Sequence, residues 1–100
     1  MMLEEAQSKV KEYFEKGNFA VWPRFAILAR LEEEISEIGR IISVEEGLRE
    51  KSKIDNMNYE DEFGDAFFQL IHLANQCDVN VNDCLEHVFT KYEKYIKNEK

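Results

Sequence analysis

Apolar residues recur every three or four positions through four segments of this 100-residue chain, and that spacing is the periodicity of amphipathic α-helices. The sequence contains one proline and four glycines, so few positions interrupt such helices. At this length we expect a single domain over residues 1–100. The pattern predicts an all-α, four-helix bundle-like fold, with helices at residues 3–16, 22–43, 59–76 and 81–97.

Residues with known preferences for helix ends mark the limits of these segments. Gly17 ends the first pattern, and the second begins near Pro23, since proline is tolerated in the first turn of a helix. Residues 43–57 lose the periodicity and predict a long connection. Asn58 and Asn80 are the expected N-caps of the third and fourth helices, because a short polar side chain can accept a hydrogen bond from the first turn.

Two pairs of acidic residues, each spaced three positions apart, fall on the second and third predicted helices. The pairs are Glu34 with Glu37 and Glu62 with Asp65, and residues 38–61 separate them. Helical neighbours at this spacing share a face with β-carbons about 5–6 Å apart, so each pair concentrates negative charge. Glu34 also lies at the border of an apolar stripe, where a half-buried carboxylate is unusual. Four carboxylates on two neighbouring helices suit a hard divalent cation such as Mg²⁺.

The charge balance and the distribution of apolar residues exclude several classes of partner. The chain carries 21 Asp and Glu against 13 Lys and Arg, which gives a net charge of -8, so we expect no nucleic acid and no anionic membrane as a partner. No apolar run approaches the roughly 18 residues of a membrane span, and residues 1–5 are acidic where a signal peptide would be basic. Cys77 and Cys84 lack partners at zinc spacing and are expected to be reduced. These features predict a soluble, cytoplasmic protein.

Residues 29–38 and 62–75 together resemble the MazG-like all-α nucleoside triphosphate pyrophosphohydrolases. The signature of that family is an ExxE motif, a spacer of variable length and an ExxD motif, and both acidic pairs of this chain match it. The more specific part of the match is Gly64 before Asp65, the apolar run that follows, and the Leu-Ala-Asn triplet at residues 73–75. The resemblance covers roughly residues 20–95.

The resemblance implies an activity, a metal and an assembly. The reaction would be hydrolysis of a (d)NTP between the α and β phosphates, which gives a nucleoside monophosphate and pyrophosphate. Glu33 is the candidate general base, since it lies four residues before Glu37 on a neighbouring part of the same face. Lys91 matches a lysine that family members carry on the last helix, where it would meet phosphate as a point charge. Family members assemble as dimers or as dimers of dimers. The residues that would coordinate Mg²⁺, or Mn²⁺, are Glu34, Glu37, Glu62 and Asp65.

Other polar and aromatic residues have two interpretations each. Trp22 is either a stacking partner for a nucleobase or a core or dimer-interface aromatic residue, and Asn75 either binds the substrate or caps a helix. Lys91 is either a phosphate ligand or a solvated charge. His72 is expected at the surface or in an interface. A ferritin-like di-iron site is not expected, because Gln69 stands where the Glu-x-x-His motif needs glutamate.

Departures from the family pattern keep alternative functions open. Many relatives carry an arginine a few residues after the Lys91 position, where this chain has Lys94 and Tyr95. One alternative is therefore a MazG-fold nucleotide-binding or regulatory helical dimer without turnover. Another is an enzyme like the phosphoribosyl-ATP pyrophosphohydrolases, which share the fold and similar acidic blocks.

Overall fold

The protein forms four α-helices in the computed structural model, which describes residues 2–17, 22–51 and 56–98. Within these ranges no strand is present, so the predicted all-α fold class is confirmed. The helices in chain order are α1 (Leu3–Lys16), α2 (Arg24–Glu45), α3 (Tyr59–Gln76) and α4 (Val81–Asn98).

The second helix differs from its predicted limits at both ends. Its first residue is Arg24, because Pro23 keeps an extended ψ of 150° and acts as the N-cap. At the other end α2 runs to Glu45 and closes with Gly47 at a φ of +76°, where Leu48 N–H donates to the Ser43 carbonyl at 2.7 Å. That pairing is the Schellman closure, which favours glycine in the left-handed position. The predicted connection is thus shorter than residues 43–57, and its residues 52–55 lie outside the described residues.

Side-chain caps begin the last two helices as predicted. The Oδ1 atom of Asn58 accepts the Asp61 N–H at 2.9 Å, and its Nδ2 donates back to the Asp61 carboxylate at 3.0 Å. Asn80 accepts the Asp83 N–H at 3.1 Å in the same manner. Between these caps, α3 ends in a second Schellman closure with Asp78 at a φ of 55°. The short turn that results leads the chain directly into α4.

The core is small and lies where α1, α2 and α3 meet. α2 packs along α3, α1 lies against α3, and α4 contacts α1. The radius of gyration is 16.9 Å, against about 13 Å for a compact domain of this length. α4 has no buried residue among those described, so much of the apolar surface of the chain has no partner within it. The buried apolar side chains are Val10, Ile27, Leu31, Ile41 and Ala66.

In the described ranges, no helix combines the length and the apolar character that crossing a membrane requires.

Candidate functional site

The packing of α2 along α3 brings carboxylates from both acidic pairs together. Oxygens of Glu34, Glu62 and Asp65 all lie within 4.8 Å of one another. Glu34 and Glu62 are 4% and 8% exposed, whereas Asp65 is open to solvent. Glu37 joins them through a hydrogen bond that it shares with Glu62. These four residues, which we call the acidic cluster, are the four that the sequence predicts to be neighbours.

The electrostatics of the acidic cluster disfavour its fully ionised form. The hydrogen bond shared with Glu37, followed by burial and the charge of Glu37, raises the pKa of Glu62 to about 7. Burial, and then the charge of Glu37, also raise the pKa of Glu34 above its usual range, and the nearby Arg30 only partly opposes this. The acidic cluster therefore carries more negative charge than Arg30 neutralises, and it attracts either protons or a cation.

Two oxygens of the acidic cluster have no partner. Oε2 of Glu34 and Oε2 of Glu62 are buried without a hydrogen bond from any described residue. An unpaired buried polar atom is costly, and such atoms in folded proteins commonly mark an ion or a water. The carboxylate oxygens of Glu34, Glu62 and Asp65 lie within 4.8 Å of one another, and carboxylate oxygens are the ligands that Mg²⁺ takes from proteins. The donor set therefore fits a hard divalent cation.

Arg30 is a site residue that the sequence analysis did not single out. Its Nε lies 3.1 Å from Oε1 of Glu34, and its Nη1 donates to Oε2 of Glu33 at 3.4 Å. Arg30 precedes Glu34 by four residues, a spacing that places both side chains on one face of a helix. The four-residue spacing from Glu34 is therefore the feature of the sequence that could have identified Arg30 as a neighbour of the acidic pair. Arg30 therefore places a positive charge beside the acidic cluster.

Glu33 and Glu34 are adjacent in sequence but differ in environment. Glu33 is exposed on α2 and contacts Arg30. It is not among the carboxylates that lie within 4.8 Å of one another. Arg30 thus holds Glu33 at the edge of the acidic cluster rather than inside it.

The side chain of Asn75 is engaged within the protein. Gln7 Nε2 donates to Asn75 Oδ1 at 2.9 Å, and Asn75 Nδ2 donates to the Gln7 carbonyl at 3.1 Å. Gln7 also donates to the Val79 carbonyl at 2.8 Å and accepts the Val81 N–H at 2.8 Å. The side chain of Asn75 therefore joins α1 to the turn between α3 and α4, and its contact with substrate stays a prediction.

Lys91 and Trp22 belong to parts of the fold other than the stretches of α2 and α3 that carry the acidic cluster. Lys91 is exposed on α4, where its Nζ lies 5.8 Å from the ring centroid of its neighbour Tyr92. α4 packs on α1, whereas the acidic cluster belongs to α2 and α3. Trp22 is half-exposed and stands before the first turn of α2, at the edge of a cavity that Arg30 also lines.

The cavity that Trp22 borders lies between α1, α2 and α3 and has a volume of about 380 Å³. His72 forms part of its wall, is 3% exposed, and stacks on Phe14 with ring centroids 3.6 Å apart and planes 3° from parallel. The expectation that His72 is a surface or interface residue is wrong, because the α1 partner that covers it is distant in sequence. The lining residues are Phe14, Trp22, Ile27, Arg30, Phe68, Gln69 and His72.

Comparisons with known proteins agree with this fold. The YpjD protein of Bacillus subtilis (strain 168) is 29% identical over 91 residues, which span 90% of this chain and 82% of that protein. The crystal structure of YpjD from Bacillus subtilis, described as a candidate pyrophosphatase, superposes with a TM-score of 0.79 at 27% identity and covers 92% of this chain and 93% of that one. The family model of the MazG nucleotide pyrophosphohydrolase domain matches residues 24–99. The chain therefore belongs to the MazG nucleotide pyrophosphohydrolase domain family.

Proposed function

We propose that this protein is a Mg²⁺-dependent nucleotide pyrophosphohydrolase. The reaction adds one water across the bond between the α and β phosphates of a (d)NTP and yields a nucleoside monophosphate and pyrophosphate. One observation carries the proposal: buried Glu34 and Glu62, beside Asp65, each keep an oxygen that no described residue hydrogen-bonds. Membership of the MazG family supports a nucleotide as the substrate.

The metal would be held by the acidic cluster, which consists of Glu34, Glu37, Glu62 and Asp65. Carboxylate oxygens are the ligands that Mg²⁺ prefers, and Mn²⁺ accepts the same set. When bound, the cation supplies neutralisation of phosphate charge and a lower pKa for a coordinated water. The exposed position of Asp65 leaves one side of the cluster open to solvent and to a phosphate.

Arg30 and Glu33 would act on the open side of the acidic cluster. The guanidinium of Arg30 has five N–H donors, and its contacts with Glu33 and Glu34 use Nε and Nη1. The remaining donors can bind a phosphate oxygen. Glu33, held by Arg30 at the edge of the cluster, is the proposed general base that takes a proton from the attacking water. Lys91 is a proposed additional phosphate contact.

A screen for pyrophosphate release across ribo- and deoxynucleoside triphosphates, with Mg²⁺ or Mn²⁺, tests the proposal. We expect turnover of at least one nucleotide and a loss of about 100-fold or more in Glu34→Gln and Asp65→Asn. Glu32→Gln on α2 and Glu60→Gln on α3 are the matched controls, because both carboxylates are exposed on the same helices. Nucleotide binding without pyrophosphate release from any substrate would instead identify a binding or regulatory module.

We also propose that the working unit is a dimer, or a dimer of dimers, of this chain. α3 and α4 both present large apolar side chains to solvent, with Phe67 and Phe89 58% and 59% exposed. Such surface on several helices marks an interface. A second copy of the chain is the partner that explains both the absence of buried residues on α4 and the large radius of gyration.

A further inference from the structure

The cavity between α1, α2 and α3 begins one helical turn away from the acidic cluster. On α2, Arg30 lines the cavity and precedes Glu34 by four residues; on α3, Gln69 lines the cavity and follows Asp65 by four residues. One turn corresponds to about 5.4 Å along a helix. On both helices, therefore, the cavity lies about one turn from the acidic cluster. This separation is comparable to the distance from a phosphate group to the base within one nucleotide.

The lining of the cavity is suited to a flat heterocycle. Phe14, Phe68 and the half-exposed Trp22 present rings, with Phe14 and Phe68 centroids 5.5 Å apart, whereas His72 is buried behind Phe14. Aromatic faces stack on nucleobases of every kind. The volume of about 380 Å³ stands near the lower end of small-molecule sites. It therefore suits a single ring system better than a complete nucleotide.

Gln69 is the polar residue of the cavity whose hydrogen-bonding capacity is unused. It is half-buried, and in the described part of the chain its amide makes no hydrogen bond. Arg30, the other polar group near the cluster, is already engaged with Glu33 and Glu34. An amide offers a donor and an acceptor side by side, which matches adjacent groups on the edge of a base.

We propose that this cavity binds the base of the nucleotide and that Gln69 sets base selectivity. The proposal rests on the proposed function, because it places the phosphates of the same ligand at the acidic cluster. Aromatic rings bind the faces of the base, and Gln69 pairs with its edge. A site that hydrogen-bonds its ligand rejects an analogue that leaves the protein group unpaired, so one amide is sufficient to discriminate between bases.

Trp22 provides a readout that does not depend on turnover. It is the single tryptophan of the chain and lines the cavity. Adenosine, guanosine, cytidine and uridine monophosphates, titrated without divalent metal, are expected to change its fluorescence in a saturable manner, with one base bound most tightly. Gln69→Leu should reduce the ratio of dissociation constants between the best and worst base by about tenfold or more. Gln76→Leu, the same change at an exposed position on α3, should leave the ratio unaltered.

The outcomes separate this inference from the enzymatic proposal. If pyrophosphate is released but no monophosphate alters Trp22 fluorescence, the cavity does not bind the base and the inference is overturned while the function stands. An equal change in affinity for all four bases in Gln69→Leu overturns the role of Gln69. If no triphosphate is hydrolysed, yet Gln69 still determines the order of monophosphate affinities, the cavity assignment stands and the enzymatic function fails. Gln69→Glu, with circular dichroism on both variants, provides a second test should Gln69→Leu not fold.

Discussion

The guanidinium Nε of Arg30 lies 3.1 Å from Oε1 of Glu34, while Oε2 of the same carboxylate is buried without a partner among the described residues. One arginine thus neutralises only part of a group that also contains Glu37, Glu62 and Asp65. Burial and the neighbouring carboxylates raise the pKa of Glu34 in spite of the arginine. Repulsion between its carboxylates therefore destabilises the acidic cluster when it holds no cation.

Replacing Glu62 with glutamine should stabilise the metal-free protein and weaken its response to Mg²⁺. The change removes one negative charge from the acidic cluster and keeps the shape of the side chain. In the presence of a chelator we expect the free energy of unfolding to rise by about 1 kcal/mol. In the wild type, Mg²⁺ at 100 times its Kd should add about 2.7 kcal/mol by linkage, and Glu62→Gln should lose most of that gain.

Thermal melts with chelator and with Mg²⁺ measure both effects of Glu62→Gln. Glu60→Gln removes the same charge at an exposed position of α3 and should leave the Mg²⁺ response intact. A Glu62→Gln protein that responds to Mg²⁺ like the wild type would show that Glu62 holds no metal.

Glu33 and Glu37 should respond differently to replacement by glutamine. Glu33 is exposed and contacts Arg30, whereas Glu37 shares a hydrogen bond with Glu62. We expect Glu33→Gln to lower kcat by about 100-fold while it leaves the Mg²⁺-dependent rise in Tm unchanged. Glu37→Gln should reduce both quantities. Equal effects of the two substitutions on the Mg²⁺ response would refute the separate roles of base and ligand.

Local signals in the sequence predict the helices and the carboxylates of the candidate site, but not Arg30 or the burial of His72. The caps at Asn58 and Asn80 act within one turn, so their hydrogen bonds follow from the sequence alone. Carboxylates three residues apart necessarily share a helix face, and the family resemblance joins the two pairs across the connection. The stacking of His72 on Phe14 and the pairing of Asn75 with Gln7 join residues far apart in sequence, and helical periodicity carries no information about such contacts.

Gln7 should be a structural residue, and its replacement should lower the free energy of unfolding by weakening the contacts between α1 and the start of α4. Its amide bonds to Asn75, to the Val79 carbonyl and to the Val81 N–H. Gln7→Ala leaves those groups unsatisfied, and we expect a loss of about 1–3 kcal/mol in the free energy of unfolding. Asn75→Ala should cost a similar amount, and the double variant less than the sum, because both changes break the same contacts.

Urea unfolding of Gln7→Ala, Asn75→Ala and the double variant measures this coupling. Gln76→Ala, at an exposed position of α3, is the control. A rise in KM for Asn75→Ala without any loss of stability would restore the interpretation of Asn75 as a substrate ligand.

Burial of His72 should contribute a loss of stability in mild acid, whereas protonation of Glu34 and Glu62, whose pKa values are raised, contributes a gain over the same pH range. Burial lowers the pKa of His72 below its ordinary value of 6.5, so the unfolded chain takes up a proton at a pH where the folded chain does not. This contribution to stability is present above pH 6.5 and is lost as the pH falls through the folded pKa.

Unfolding by urea at a series of pH values between about 5 and 8 tests the His72 prediction. His72→Phe keeps a ring against Phe14, so its free energy of unfolding relative to the wild type should increase as the pH falls below 6.5. His87→Phe, at an exposed position of α4, should show no such change relative to the wild type. A difference between His72→Phe and the wild type that stays constant with pH would show that His72 does not contribute to the pH dependence.

A charge placed on the apolar face of α4 should separate the proposed dimer. Phe89 is 59% exposed within one chain, and Phe89→Glu would place a carboxylate in the buried interface, where an unpaired charge is costly. We expect the wild type to sediment as a dimer or larger and its Tm to rise with protein concentration. Phe89→Glu should sediment as a monomer with a lower, concentration-independent Tm, whereas Thr90→Glu, on an exposed residue beside it, should remain assembled. A wild-type protein that is monomeric at all concentrations would contradict the dimer.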